Sequence, residues 1–227
     1  MKKILILCGG YSKEKEISRA SAKSIYKTLK NKYKILVCEP DSKFINKIKK
    51  FKPDVVYNSL HGRFGEDGYI QVLLENLKVK YTHSGVNSSS VAMDKEISKK
   101  IFIKNNIRTP EFIKLNNFDL IKDKNYLIKK IQNKLKFPVV IKPIDEGSSV
   151  DVNICNKKNI IKNLKKLSSY KEVLVEKYIG GREIQVAIMG NKKLGAIELV
   201  PKRKFYDYKA KYNVKAGTKH IIPVDLP

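Results

Sequence analysis

The chain has no tryptophan, only three cysteines and three methionines, and only five arginines in 227 residues. Cys8, Cys38 and Cys155 are odd in number, widely spaced and without a C-x-x-C pair, which argues against a disulfide framework and against a zinc site. A reduced, cytoplasmic setting is expected. Acidic residues are also few, 22 against 48 basic ones, for a formal charge of +26. The scarcity of arginine decides how that charge is read. Arginine is the side chain that forks onto base edges and stacks on them, yet 43 of the basic residues are lysine, spread through every segment rather than gathered on one face among aromatics. The excess is therefore compositional, and no nucleic-acid partner is expected. Long apolar runs are missing too. Ile4–Cys8 is five residues, short of the roughly 7 to 15 of a signal peptide. No run approaches the roughly 18 of a membrane span, so no membrane partner is expected either.

What remains is a length suited to one large domain or two small ones, at roughly 100 to 200 residues per domain. The first third alternates short apolar runs with amphipathic stretches, the pattern of parallel strands joined by helices. Strands are expected at Ile4–Cys8, Ile35–Cys38, Val55–Tyr57 and Val79–Tyr81, and helices at Ser18–Lys30, Phe44–Phe51 and Tyr69–Asn76. In such an open α/β domain the ligand site lies at the carboxyl ends of the strands, where Gly9-Gly10 and the turn-rich His61–Gly68 segment fall. A polar run, Ser84–Ser90, precedes a long helix expected over Ser90–Asn105. From Phe112 the pattern changes to strands at Phe112–Leu115, Val139–Lys142, Val152–Ile154, Val173–Lys177, Glu183–Met189 and Leu194–Val200, with helices near Leu120–Leu135 and Asn159–Leu167. Gly190-Asn191 reads as a hairpin turn. An open parallel-sheet domain over 1–90 is thus followed by an α+β domain over 91–227, with a central part about 100–178 and a further part from about 179. No repeat or low-complexity tail interrupts them.

Two segments carry chemistry. In Val139-Val140-Ile141-Lys142-Pro143 a buried strand delivers a lysine, and Glu146-Gly147-Ser148-Ser149-Val150 follows as a small-residue loop able to bring backbone N–H groups to an anion. It is no Walker loop, since the lysine precedes the loop rather than closing it; read singly, a surface lysine before an ordinary turn fits as well. Further on, Val173–Val175 leads into Glu176-Lys177-Tyr178-Ile179 and a Gly180-Gly181 turn before Arg182-Glu183. Such a strand can offer backbone groups to a purine edge and apolar walls to its faces, with Glu183 on ribose hydroxyls. Alone, an edge strand with a solvated Glu-Lys pair fits better.

The order strand lysine, small-residue flap, hinge strand and ribose carboxylate resembles the ATP-grasp superfamily. Within it the chain resembles the D-alanine–D-alanine ligase family. The motif G-G-x-S-x-E-[RK]-E-[VI]-S appears as Gly9–Ser18, H-G-x-x-G-E-D-G-x-x-Q as His61–Gln71, and S-G-V with M-D-K as Ser84-Gly85-Val86 and Met93-Asp94-Lys95. The loop F-Y-D-Y-x-A-K-Y runs from Phe205 to Tyr212. Two positions depart from the pattern: Asp151 replaces the glycine of S-S-V-G, and Lys209 stands where Glu is common. The family's R-x-D strand and E-x-N-x-x-P-G motif, with its magnesium ligands and part of the second-substrate site, have no counterpart before Pro227. The fold expected is a pre-ATP-grasp domain followed by an ATP-grasp domain truncated at its carboxyl end.

The resemblance implies ATP-dependent joining of two D-alanines through an acyl phosphate, an ADP-forming C–N ligation that supplies peptidoglycan precursors and so serves cell-wall biogenesis and cell shape. It implies ATP, with Mg2+ or Mn2+ in the complete enzyme, and D-alanine as substrate; a homodimer is open. Lys95 and Lys142 would meet the α and β phosphates, with Ser149 in the flap. Glu176, Lys177, Tyr178 and Ile179 would hold adenine, and Glu183 ribose. Glu14 would anchor the ammonium of the first D-alanine near His61. Ser148 would bond Glu14 and Tyr212, closing the Lys211–Tyr212 loop. No metal ligand is assigned within the chain, which by itself is expected to be inactive, to bind ATP poorly and to expose the apolar faces of Val139–Ile141 and Ile184–Ile188. Two alternatives stand beside this: a related ligase using D-lactate or D-serine, against which Tyr208 and Tyr212 argue, and a non-catalytic nucleotide-binding fragment.

Overall fold

The computed structural model describes residues 1–116, 119, 123–203 and 205–225. The chain forms two compact units, Met1–Ile107 with Asp145–Gly147, and Arg108–Ile144 with Ser148–Pro227.

The first unit is built on β1 (Lys3–Leu7), with β2 (Lys34–Cys38) and β3 (Val55–Asn58) parallel to it on either side. Successive side chains of a strand point to opposite faces, and in β1 both faces are buried. Leu5 and Leu7 pack with Phe44, Ile48, Val56 and Leu74, whereas Ile4 and Ile6 pack with Ala22 and the partly buried Ile25 and Leu29. A continuous apolar run is what a parallel sheet covered by helices on both sides requires, and each wholly buried Leu or Ile contributes about 2 kcal/mol. The cover comes from α1 (Lys15–Leu29), α2 (Phe44–Phe51) and α3 (Tyr69–Asn76). The strand order β2-β1-β3 reverses about β1. The segments leaving the carboxyl ends of all three strands therefore border one crevice.

Two expectations for this unit need correction. Val79–Tyr81 forms only a single bridge, Val56 to Tyr81, rather than a strand. The long helix over Ser90–Asn105 is two helices, α4 (Val86–Met93) and α5 (Lys95–Lys104). Asp94 breaks it, because its extended backbone (ψ 108°) ends one helix while its carboxylate caps the next, accepting the Ile97 N–H at 2.9 Å. Ser98 Oγ donates back to the Val91 carbonyl, satisfying a group at the end of α4. Both helices belong to the first compact unit, so that unit runs to Ile107, past the boundary expected at 90.

The second unit holds two antiparallel sheets. One, in the order β4-β7-β5-β6, comprises β4 (Phe112–Asn116), β5 (Val139–Pro143), β6 (Asn153–Cys155) and β7 (Glu172–Lys177). Its core side is covered by α6 (Lys124–Leu135) and α7 (Ile160–Lys166), whose Leu127, Ile131, Leu135, Ile160 and Leu164 pack with Val139, Ile141, Val173 and Val175. The spacing of Leu127, Ile131 and Leu135 is one stripe of a helix. Residues 120–122, the expected start of α6, lie outside the described residues. The other sheet runs β10-β9-β8, with β8 (Glu183–Met189), β9 (Lys192–Val200) and β10 (Lys219–Ile221). Met189 pairs with Lys192 around Gly190-Asn191, and Gly190 takes φ +58°, a conformation that suits glycine at a two-residue turn. The motif loop from Phe205 holds a helical turn, α8 (Tyr208–Tyr212), which Asp207 caps through the Ala210 N–H at 2.8 Å.

Candidate functional site

In the second unit a cavity of about 430 Å³ is lined by Val140, Val152 and Ile154, by Glu176–Ile179, and by Gly181–Glu183, Glu198–Pro201, Phe205 and Tyr206. Five sequence-assigned residues, Glu176–Ile179 and Glu183, line it, and β5 and β7 pair so that Val140 lies opposite Glu176 and Lys142 opposite Leu174. The Lys142 ammonium reaches the Glu176 carboxylate in a short ion pair. Glu176 is buried and Lys142 half-buried, so the pair sits in a medium where charges act more strongly than in water. Tyr178 and Ile179 supply wall, and Ile179 is exposed at the opening.

The hinge strand behaves differently from expectation in one respect. The N–H groups of Lys177 and Tyr178 are bonded to the carbonyls of Glu111 (2.9 Å) and Pro138 (3.2 Å). These two donors are therefore already bonded and not open to a purine edge. The Lys177 side chain is exposed.

Glu183 stands at the start of β8, and partial burial holds its carboxyl above the usual range while Lys211 pulls it down. Since the residue as a whole is exposed, the push is modest. Lys211 lies 5.2 Å over the Tyr206 ring. Burial and the nearby Glu183 charge raise the Tyr206 hydroxyl. Several cavity residues carried no assignment from sequence: Tyr206, Phe205, Arg182 and Glu198 above all. Arg182 forks onto Glu198 with bonds of 2.8 and 2.6 Å. The motif loop points to the first two; no local pattern in β9 marks Glu198, since Glu198 and its neighbour Leu199 are both buried.

The flap departs from helix and strand geometry at three non-glycine residues, Ser148, Ser149 and Asp151, with φ of +48°, +59° and +55°. Left-handed backbone of this kind costs of order 1–3 kcal/mol per residue and persists where side chains hold it. Here Ser148 Oγ and the Tyr212 hydroxyl are 2.6 Å apart, and Ser149 Oγ donates to the Tyr206 carbonyl at 3.0 Å. The flap and the α8 segment are thus joined at two points, and Tyr212 packs edge-to-face on Tyr208 at 4.9 Å.

In the first unit Glu14 precedes α1 and is 4% exposed. Its carboxylate lies against two glycines: a Cβ on Gly62 would stand 3.0 Å from Oε2, and one on Gly147 3.2 Å. Gly62 also takes φ +66°. Backbone can approach this closely only without side chains. His61, close enough to feel the Glu14 charge, lies with Nδ1 3.8 Å from Glu66 Oε1 and Nε2 3.4 Å from Ser21 Oγ. At 3.8 Å the Glu66 contact is a charge pairing rather than a hydrogen bond, and it lifts the imidazole above its ordinary value despite burial. Burial pushes Glu66 upward, but His61 and the Gly62 N–H (2.7 Å) outweigh it and hold the carboxyl low. His61 borders cavities of about 450 and 390 Å³; Glu14 lines neither. Lys95, the first residue of α5, donates to the Glu146 carbonyl of the flap.

The family model described as "D-ala D-ala ligase C-terminus" matches residues 101–227. A D-alanine–D-alanine ligase of Pelagibacter ubique is 65% identical over 99% of this chain and 73% of its own length. Among solved structures, the D-alanine–D-alanine ligase of Bacillus anthracis is 36% identical, covering 100% of this chain and 73% of that one, with a TM-score of 0.83. The Bacillus anthracis ligase complexed with ATP is 33% identical over 100% of this chain and 72% of that one, with a TM-score of 0.79.

Proposed function

Since the chain belongs to the D-alanine–D-alanine ligase family, we propose that it serves the ATP-dependent joining of two D-alanines to D-alanyl-D-alanine, a peptidoglycan precursor, with the second unit holding the nucleotide. The observation that carries this reading is the cavity of about 430 Å³ in which Glu176–Ile179, Glu183 and the apolar residues of β5, β6 and β9 line one space, with Lys142 paired to Glu176 beside it.

A carboxylate is a poor electrophile, so the reaction begins by activating it. A carboxylate oxygen of the first D-alanine attacks the γ-phosphorus of ATP, ADP leaves, and an acyl phosphate forms. The amine of the second D-alanine then attacks the acyl carbon, a C–N bond forms, phosphate departs and the amine sheds a proton. No enzyme nucleophile takes part, so positioning and electrostatics carry the catalysis. Lys142 meets the polyphosphate, as does Lys95; one ammonium–phosphate pair at 4 Å is worth roughly 4 kcal/mol at an effective dielectric of about 20, before desolvation. Apolar walls take the adenine faces, with Glu176, Lys177, Tyr178 and Ile179 around the ring, and Glu183 takes the ribose hydroxyls. Glu14 anchors the ammonium of the first D-alanine, with His61 beside the same substrate. Ser148 and Ser149 hold the flap to the segment carrying Lys211 and Tyr212. The family implies Mg2+ or Mn2+. Among the described residues no group of three or more His, Cys, Asp or Glu is placed to hold a metal ion. These residues do not fit that group, and no step here runs through it.

D-Alanine and ATP are the partners of this reading, in the cytoplasm, without nucleic acid or membrane; a homodimer is the assembly to look for by light scattering. The test is D-alanine-dependent phosphate release from ATP, run with this chain and with this chain extended by the carboxyl-terminal part of the Pelagibacter relative. Dipeptide made by the extended chain is expected. Phosphate release independent of D-alanine, or a dipeptide-free product mixture from the extended chain, would contradict the reading.

A further inference from the structure

Asp151 occupies a flap position where the family pattern has glycine, and it adopts the left-handed backbone a glycine would accept without cost (φ +55°). Its carboxylate accepts a hydrogen bond from the Tyr170 hydroxyl, and its carbonyl accepts one from Asn153 Nδ2 at 3.0 Å. Tyr170 is well placed to be a fixed point. Its ring packs against the core under the four-stranded sheet, and its N–H is bonded to the Leu167 carbonyl at 3.0 Å just past α7. The residue after Asp151, Val152, lines the nucleotide cavity, as does Ile154 in β6. Ser148 and Ser149 tie the front of the flap to Tyr212 and to the Tyr206 carbonyl. Its far end is tied to the core through Tyr170.

We propose that Tyr170 is a positioning residue: its hydroxyl holds the Asp151 carboxylate toward the core, fixing the flap and keeping this negative charge from the polyphosphate of bound ATP. The inference rests on the nucleotide reading above. Two consequences separate it from a merely structural tyrosine. Losing the hydroxyl should weaken ligands in proportion to their phosphate charge, because a released carboxylate repels phosphates and leaves adenosine untouched. Replacing Asp151 by glycine should cancel the loss, because no carboxylate is then left to hold and the backbone angle is unstrained.

Calorimetric titration with ATP and with AMP tests both. Tyr170→Phe keeps the ring and its packing and is expected to raise the ATP Kd about fivefold, the ratio set by a hydrogen bond of about 1 kcal/mol, with the AMP Kd raised less. The double variant Tyr170→Phe, Asp151→Gly is expected to return to the ATP Kd of the unsubstituted chain. Unchanged ATP binding in Tyr170→Phe, equal losses for AMP and ATP, or no recovery in the double variant would each overturn the proposal. If neither the unsubstituted chain nor the extended chain bound ATP, the nucleotide reading itself would fall. The tether would then be judged by amide hydrogen exchange over residues 148–153, where faster exchange in Tyr170→Phe supports it and unchanged exchange rejects it.

Discussion

In the second unit the four-stranded and three-stranded sheets both come from short β-rich runs, yet they differ in what covers them. Val139, Ile141, Val173 and Val175 are wholly buried under α6 and α7. On the three-stranded sheet Val186 is 55% exposed, Ile188 67% and Leu194 58%. The expectation that both Val139–Ile141 and Ile184–Ile188 would lie open is therefore wrong for the first stretch. Helices lying between the strands in sequence cover it, while β8 and β9 are joined by a two-residue turn with no helix to spare. Alternation in a strand says which side chains share a face. What lies over that face is decided elsewhere in the chain.

The difference predicts where substitutions will be felt. Ile141→Ala should cost about 3 kcal/mol, for lost transfer energy and the cavity left behind, whereas Val186→Ala on the open sheet should cost under about 0.5 kcal/mol. Urea unfolding midpoints compare the two directly, and equal losses would break the contrast.

The next largest effect concerns charge pairs of unequal burial on the covered sheet. Lys142→Met removes the partner of a buried Glu176 and should cost about 2 kcal/mol of stability, with ATP affinity falling at least tenfold. Lys114 pairs with Glu172 at 3.1 Å with both side chains more than a third exposed, and Lys114→Met should cost no more than about 0.5 kcal/mol. Paired unfolding and ATP titrations check both. At the rim of the open sheet the prediction inverts: Glu183→Gln should leave stability unchanged yet weaken ATP about fivefold, as loss of one charged hydrogen-bond acceptor does.

The smallest effect lies in the first unit. His61 is raised by Glu66, so its contribution to stability is full below the unfolded imidazole value of about 6.5 and fades as pH rises through the folded one. Glu66 is held low, so its contribution is present above about 4.3 and is lost as pH falls through its folded value. The pair therefore matters most between those limits. Glu66→Gln should cost about 0.5 kcal/mol at pH 5.5 and less at pH 8.5, read from unfolding midpoints at the two values. An equal cost at both would remove the charge pairing from the account.

Most elements were legible from periodicity because β1, β5 and β7 are short apolar runs and α1 and α6 carry clear stripes. Residue pairs across chain distance were not. Nothing local says that Lys142 meets Glu176, that Tyr206 lends its carbonyl to Ser149, or that Tyr170 holds Asp151; these follow from strand register and loop closure. The break at Asp94 was not legible, because its place inside a helical pattern hid the capping role the fold gives it. The departure at Asp151 was visible in sequence, whereas its partner was visible only in the fold.

The cavity bordered by the hinge strand and β9 is the site proposed for the nucleotide base. Photolabelling with an azidoadenine analogue of ATP, followed by peptide mapping, tests it directly, because the first unit offers other cavities of similar size. Label is expected on residues 176–183 and 198–206, lost in competition with ATP. Label concentrated instead on residues 40–45 or 60–73, around the cavity of about 450 Å³ beside His61, would contradict it.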